Sequence, residues 1–501
     1  MKPYLLGIDI GTSACKAAVF SAWGHVAASA CEEYPVYYPR PGWAEQNPDA
    51  WWDAVCQAVQ RALHTGNIAP GQIAAIGVDG QSWSAVAIDK HGEVLTNTPI
   101  WMDTRTRTIC DRLNSQAGED RIFNLCGNTL QPSYTTAKIL WYKEELPQVY
   151  RHIYKILQSN SFIAYRLCGV VSQDICQAYG LHCFDMRRGT WNEEMCQALG
   201  IPSGFLPDIV PCHQVIGTVT EEAAKKAGLV AGIPVVAGGL DAACGALGAG
   251  VIHAGETQEQ GGQAGGMSIC MDQYQADPRL ILSFHVVPGK WLLQGGTTGG
   301  GGVMRWLERE FGAYERLVAP EKNKSSLQQF NDLASQVPPG SDGLIFLPYM
   351  AGERSPVWNP DAKGVFYGLD FKKTKGHMIR AAMEGVGYSL KHNLDVAESA
   401  GAPVKELLAV GGSANSVLWT QIKSDITGLP VSVPFSDTAT TLGAAILAGV
   451  GVGIYDSFET PVSHIKITRN HNPNMENHEK YESFFETYLA LYENLKTLMK
   501  K

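Results

Sequence analysis

The chain alternates short apolar runs with segments whose apolar positions recur at helical spacing. Tyr4-Leu5-Leu6-Gly7-Ile8 predicts a buried strand, residues 9–13 a turn of small and polar side chains, and residues 16–20 a return strand. Asp9 therefore stands at a strand end, aimed into the turn. Asn47-Pro48-Asp49 has the order of N-cap, first-turn proline and first-turn acid, and Trp52, Val55, Val59, Ala62 and Leu63 follow at helical spacing up to Gly66. A buried strand over 73–78 follows. Thr220 with Glu221 and Glu222 opens a helix that Gly228 closes, and residues 233–237 predict a strand running into Gly238-Gly239-Leu240-Asp241. Alternation of strands and helices is the mark of the α/β class.

About 250 residues after the first hairpin the same arrangement returns: residues 257–260 as a strand, Gly261-Gly262-Gln263-Ala264-Gly265 as a glycine turn, and residues 267–270 as a return strand. The repeat predicts a second domain resembling the first. Residues 295–302 form a glycine-rich run that opens the apolar segment 303–306, and residues 340–348 predict a strand. A helix is expected over 377–390, and a strand over 407–410 ends in Gly411-Gly412-Ser413-Ala414-Asn415. Tyr481, Phe484, Phe485, Tyr488, Tyr492 and Leu495 mark a docked terminal helix. With no low-complexity linker, two lobes sharing a large interface around a cleft are expected, divided into residues 1–246 and 247–501.

Composition narrows the partner. The 501 residues carry 40 Lys and Arg against 49 Asp and Glu, a net charge of -9, and no basic run. Nucleic acid and anionic membranes are disfavoured, and a small molecule is expected instead. An anionic ligand would have to be held by local devices such as backbone N–H groups, since the overall field repels it. The 12 Cys contain no Cys-x-x-Cys pair, and no apolar stretch reaches the length of a membrane span. A cytoplasmic setting follows as the expectation.

No G-x-x-x-x-G-K-[ST], His-Glu-x-x-His or G-x-S-x-G motif occurs. What the chain has is a set of glycine turns at strand ends, around Gly11-Thr12-Ser13, Gly262, Gly301 and Gly412. Glycine lets backbone approach phosphate closely, and successive N–H groups supply positive charge. Asp9 alone could be an Asx-turn residue, and Asp241 alone a helix N-cap. Four glycine turns with two strand-end carboxylates suit phosphoryl transfer, in which one Asp can organise Mg²⁺ and another can accept a hydroxyl proton.

Asp9-Ile10-Gly11-Thr12-Ser13 and Gly238-Gly239-Leu240-Asp241 resemble the phosphate and catalytic motifs of the FGGY family of carbohydrate kinases. Gly364-Val365-Phe366-Tyr367-Gly368-Leu369, followed after seven residues by His377-Met378-Ile379-Arg380-Ala381-Ala382-Met383-Glu384, resembles that family's C-terminal signature. Residues 133–145, with Lys138-Ile139-Leu140-Trp141, are similar to its N-terminal signature, and residues 346–356 and 411–415 to two further segments. Pro41-Gly42-Trp43-Ala44-Glu45-Gln46 and residues 128–138 are most similar to xylulokinases.

The resemblance implies an α/β, two-lobed actin-like ATPase (ribonuclease H-like) fold with the active site in the interdomain cleft. It implies ATP and Mg²⁺ as cofactors and a sugar phosphorylated on a primary hydroxyl, foremost a pentulose such as xylulose. It makes Asp241 the general base and assigns Asp9, with Asp241, to the metal. It places Gly11, Thr12, Ser13, Gly262 and Gly301 along the phosphates, and Gly412, Ser413 and Asn415 at the adenosine. A homodimer is expected at family level only.

The sugar should bind in the N-terminal half. Gln81-Ser82-Trp83-Ser84 stands where xylulokinases carry Gln-Met-His-Gly, and Trp101-Met102-Asp103-Thr104-Arg105 where they carry Trp-Asn-Asp-Gly-Arg. Polyols need amides and carboxylates for hydroxyls and an aromatic face for C–H groups, which selects Gln81, Ser82, Trp83, Asp103, Tyr134 and Asp241. Trp83 and Tyr134 are equally open to core packing. Trp in place of His changes pocket volume and donors, so the sugar stays open among ketoses, polyols and aldonic acids. Gln263-Ala264 replaces the usual Thr-Ser of the second phosphate turn, removing two hydroxyls but keeping the backbone. A scaffold ATPase of the same fold, or a binding protein without catalysis, are the alternatives.

Overall fold

The computed structural model describes residues 3–435 and 438–500. The sequence repeat is a structural one. In the first half, Tyr4–Ile10 pairs antiparallel with Ala14–Ser21, which pairs antiparallel with Val26–Glu33. Tyr4–Ile10 also runs parallel to Ile73–Gly80, beyond which lie Pro234–Val236 and Val215–Thr218. In the second half, Glu256–Gly261 pairs antiparallel with Gly265–Met271 and parallel with Glu406–Val410. Trp291–Thr297 and Ile281–Phe284 extend that sheet on one side, and Val431–Pro434 and Ile467–His471 on the other. Each sheet thus has a hairpin whose first strand lies at the centre. That places the hairpin turn, and every strand end that follows it in parallel, at one edge of the sheet.

The local signals act where they were expected. Asn47 caps Pro48–Thr65 through its side chain, which accepts from the Asp49 N–H, and the helix buries Trp51, Trp52, Val55, Val59 and Ala62 against the first sheet. Thr220 caps Glu221–Ala227, and Gly228 closes it in the left-handed conformation. Met475–Met499 docks through Tyr481, Phe485 and Tyr488. Two expectations are corrected. The strand expected over 340–348 is only Ile345–Leu347, because Gly340 and Asp342 at positive φ fold residues 340–343 into a tight turn. The helix expected over 377–390 extends across Lys375–Ser399, since it runs through Gly385 and Gly387 and residues 391–399 hold no Gly or Pro, Gly401 coming only after Ala400.

The lobes are joined by two crossing helices, Asp241–Ala249 and Ala439–Gly451. The second lies flat on the first sheet, where a Cβ on Gly7 would be 1.9 Å from the Thr441 carbonyl oxygen and one on Gly77 1.9 Å from that of Ala444. Only glycine admits a helix backbone that close to a strand. Gly248 and Gly443 allow the two helices the same approach to each other. None of the twelve cysteines is in a disulfide, and only Cys31 is exposed. No helix among the described residues is long and apolar enough to cross a membrane.

Candidate active site

The parallel register brings three carboxyl groups to one edge of the first sheet. Asp9 lies opposite Asp79, and Asp79 opposite Gly239, two residues before Asp241. Asp241 begins its helix and accepts the Ala242 N–H at 2.7 Å. Asp9 accepts the Thr440 hydroxyl at 3.0 Å, while its other oxygen and both oxygens of Asp79 are buried with no hydrogen-bond partner among the described residues beyond the Asp9–Asp79 pair itself. Burial pushes the Asp9 carboxyl above its ordinary range. It pushes Asp79 well above, reinforced by the charge of Asp9. Asp241 is pushed up to about 7 by burial and then by Asp9, against the opposing pull of the Ala242 N–H and Arg354.

A cavity of about 220 Å³ opens on Asp241 and is lined also by Thr12, Ser82, Trp83, Trp101, Tyr179, the turn 262–266 and Arg354. It joins residues from both lobes. Thr12 is held in it by the Trp101 indole N–H, which donates to its hydroxyl at 2.9 Å. Gly11 and Ser13 flank Thr12 in the same hairpin turn, and the Gly11 carbonyl accepts the Tyr34 hydroxyl at 2.6 Å. A second cavity of about 430 Å³ shares Gly262 and carries Gly301, Gly412, Ser413 and Asn415, with Asn331, Met383 and Trp419 on its walls.

On the first cavity's floor, Trp83 has φ +61, a left-handed conformation that costs a bulky residue energy, and its ring stacks on Tyr134 at 4.0 Å. Its indole nitrogen is buried without an acceptor. Gln81, directly behind, donates to Gln46 at 2.8 Å and leaves its own amide oxygen unpaired. Tyr134 is buried, its hydroxyl 3.4 Å from the Asn128 amide oxygen. Asp103 stands apart: its carboxylate accepts from the Ala44 N–H at 2.7 Å and forms an ion pair with Arg105 at 2.8 Å, so its polar capacity goes to holding its own loop. Neither Gln81, Tyr134 nor Asp103 lines the cavity.

The second cavity is bounded by backbone. A Cβ on Gly301 would meet the Gly262 carbonyl oxygen at 2.6 Å, so the two turns touch. At Gly262 and Gly412 the nearest atoms would be 3.7 and 3.9 Å away, and a side chain there would project into open space that a ligand can fill. Beneath them, the Lys423 ammonium donates to Glu259 at 2.6 Å and to the Ser413 hydroxyl at 2.8 Å, all three buried. Glu259 lies on the strand that leads into the Gly262 turn and Ser413 in the turn after Glu406–Val410, so this group ties the two glycine turns together.

Glycine cradles, unpaired buried carboxylate oxygens and a serine-lined wall fit a nucleotide with its cation. Among the described residues no group of three or more His, Cys, Asp or Glu side chains is arranged to hold a metal ion. Mg²⁺ needs no such cage, since one or two carboxylates with substrate phosphates complete its shell.

Three residues were not singled out as site residues in the sequence. Asp79 occupies a strand end like Asp9, and the in-register signal Val78-Asp79-Gly80 beside Ile8-Asp9-Ile10 could have identified it. Lys138 is fully buried and donates to the carbonyls of Trp83, Ile100 and Ser133 at 2.8, 2.8 and 2.6 Å. Arg354 reaches the cavity from a loop of the second lobe more than a hundred residues from Asp241, and no local pattern announces it.

Two lobes of repeated α/β topology, with a strand-end carboxylate and glycine turns facing one cleft, define an actin-like ATPase fold used for phosphoryl transfer. A family model described as FGGY family of carbohydrate kinases, N-terminal domain, matches residues 4–248, and one for the C-terminal domain of that family matches residues 273–452. The chain belongs to the FGGY family of carbohydrate kinases. It is 30% identical to a xylulose kinase of Bacillus subtilis over 498 residues, covering 99% of this chain and 98% of that one. It is 32% identical to a gluconokinase of the same organism over 495 residues, covering 98% and 96%. Among solved structures, the xylulose kinase from Rhodospirillum rubrum superposes with a TM-score of 0.89 at 29% identity, covering 99% of this chain and 100% of that one. The gluconate kinase from Lactobacillus acidophilus does so with 0.89 at 27%, covering 98% of each. The protein is a sugar kinase and uses ATP.

Proposed function

We propose that the protein transfers the γ-phosphoryl group of ATP to a primary hydroxyl of a pentulose such as xylulose. Residues 1–246 would bind the sugar and residues 247–501 the nucleotide. The observation that carries the reading is Asp241: its carboxylate shares one cavity with the first phosphate turn at Thr12, the second at Gly262, and the aromatic floor at Trp83. In this reading Asp241 takes the proton from the attacking hydroxyl, and closure of the cleft excludes water from competing for the phosphoryl group. Gly11, Thr12, Ser13, Gly262 and Gly301 cradle the phosphates, and Gly412, Ser413 and Asn415 receive the adenosine. Asp9, with Asp241, would hold Mg²⁺, which supplies charge neutralisation at the phosphates. The unpaired Trp83 indole N–H is a group that a sugar hydroxyl can satisfy, with Ser82 beside it; Gln81 would act from behind them, through the segment it holds.

The xylulose kinase relatives support a pentulose. The gluconokinase relatives favour a second reading, an aldonic acid such as gluconate, and the Trp83 that stands where xylulokinases carry His is a departure from the pentulose pattern. A coupled ADP-release screen over pentuloses, hexuloses, polyols and aldonic acids decides between them by kcat/KM. Turnover confined to aldonates would replace the pentulose, and ATP hydrolysis unaffected by any sugar would overturn the reading.

A further inference from the structure

Arg354 is a cation that the site residues named above leave unused. Its guanidinium makes no hydrogen bond and no ion pair among the described residues; its contact is with the Trp101 ring, 5.4 Å from the centroid. A half-buried arginine without an anionic partner is costly, and a side chain with five N–H donors does not sit idle in a folded protein without reason.

The chain holds it there deliberately. The Arg354 backbone N–H donates to the Glu353 carboxylate at 2.6 Å, and that carboxylate also accepts the Thr297 hydroxyl at 2.7 Å and the Thr298 N–H at 2.9 Å. Glu353 is thereby spent on backbone and hydroxyl, leaving the guanidinium beside it unneutralised by contact. Strand Trp291–Thr297 carries Gly295 and Gly296 where the side chain passes; a Cβ on Gly296 would lie 2.9 Å from the Arg354 Cζ.

Its neighbours say what it faces. Gly296 pairs with Gly266 and Thr297 with Gly265, so the guanidinium lies against the strands that rise from the second phosphate turn. Trp101, over which it sits, donates to Thr12 of the first phosphate turn. Asp241 lines the same cavity. Among the residues lining that cavity Arg354 is the one cationic side chain, against Asp241 in front and Asp9 and Asp79 behind it.

Resting on the kinase reading above, we propose that Arg354 is a catalytic residue that contacts the transferred phosphoryl group, its N–H fork reaching the phosphoryl oxygens between the two glycine turns. The bond from the γ-phosphorus to the bridging oxygen of ATP breaks, a bond to the sugar oxygen forms, the hydroxyl proton goes to Asp241, and ADP leaves. Arg354 exchanges no proton or electron pair; it offsets charge on the phosphoryl oxygens in a site otherwise rich in carboxylates. Because the lobe carrying it is not the lobe carrying Asp241, the contact also couples lobe closure to catalysis.

The test compares Arg354→Gln and Arg354→Lys with the parent enzyme. Binding of MgATP and MgADP is measured without sugar, then turnover on the best sugar of the screen. The expected result is that Arg354→Gln binds MgADP within about twofold of the parent but loses the extra affinity for MgATP, and that kcat falls roughly 10²–10³-fold with sugar KM little changed. Arg354→Lys, keeping charge without the fork, falls between. Retained MgADP binding shows that the variant is folded. An unchanged ratio of MgATP to MgADP affinity with unchanged kcat overturns the proposal, as does a rise in sugar KM alone, which would assign the guanidinium to the sugar. Because the nucleotide arm needs no sugar, it judges Arg354 separately from the choice of substrate.

Discussion

The Lys138 ammonium donates to the Trp83 carbonyl at 2.8 Å, pinning the one bulky residue of the pocket floor that has positive φ. Its other two donors go to Ile100 and Ser133, the residues just before Trp101 and Tyr134. One side chain thus closes three segments around the cavity of Asp241. Lys138→Met removes three hydrogen bonds and leaves the buried Trp83 carbonyl without its donor, while Ile100 keeps the Asp103 N–H, a loss on the order of 2 kcal/mol or more. We expect a lowered thermal midpoint and, in the folded fraction, a sugar KM raised more than tenfold with ATP KM little changed. An unchanged sugar KM in thermally stable Lys138→Met would remove Lys138 from the pocket's support.

Asp241→Asn removes the base while keeping size and the helix start. Turnover should fall roughly 10²–10⁴-fold, the usual worth of a positioned general base. Affinity for the nucleotide without Mg²⁺, measured by titration calorimetry, should stay near the parent value, since Gly262, Gly301 and Gly412 lie in the other lobe. Near-normal turnover would sink the assignment.

The acid limb of the pH profile should report the same carboxyl. Burial and the charge of Asp9 push Asp241 up to about 7, and a base must be ionised, so kcat/KM should fall about tenfold per pH unit below that value and level off above it. The stability sign is opposite. Between the ordinary 3.8 and about 7 the folded protein holds a proton that the unfolded chain has released. Stability therefore declines as pH rises through that window and is constant in this respect above it. Asp241→Asn should flatten that decline in thermal melts taken from pH 5 to 8.

The buried Glu259 and Lys423 pair, 2.6 Å apart, makes a third kind of prediction. Removing either partner alone strands the other charge and should cost about 3–5 kcal/mol, whereas removing both for apolar residues of similar size should restore most of the loss. Lys423→Met, whose Ser413 hydroxyl loses its donor, should also weaken ATP binding. The double variant Glu259→Met with Lys423→Met should regain stability but not that affinity, a pattern read from denaturant melts beside ATP titrations. Equal stability in the single and double variants would show the pair to be idle.

The repeated hairpins were legible because strand, glycine turn and return strand are local patterns, and their chemistry is short-range. Asp9 and Asp241 could be read in the same way, as polar residues at the ends of apolar runs. Ala439–Gly451 could not be read: buried on two sides by the sheet and by Asp241–Ala249, it is apolar and small all round, and helical periodicity vanishes when there is no solvent face. Asp103 shows the converse. Its sequence position suggested a sugar contact, but whether a carboxylate meets a ligand or its own loop depends on where Arg105 and the Ala44 N–H stand.

From sequence alone came the α/β class, the two similar halves, the hairpins that begin them and the carboxylates at their strand ends, because each rests on contacts between residues a few positions apart. Tertiary structure alone decided which of these meet. Parallel register set Asp79 against Asp9. The bare backbones of Gly7 and Gly77 let a helix from the far end of the chain seat on the first sheet, and the fold carried Arg354 from the second lobe to the cavity of Asp241. Proximity across hundreds of residues is set by packing of whole elements, and no local pattern of side chains encodes it.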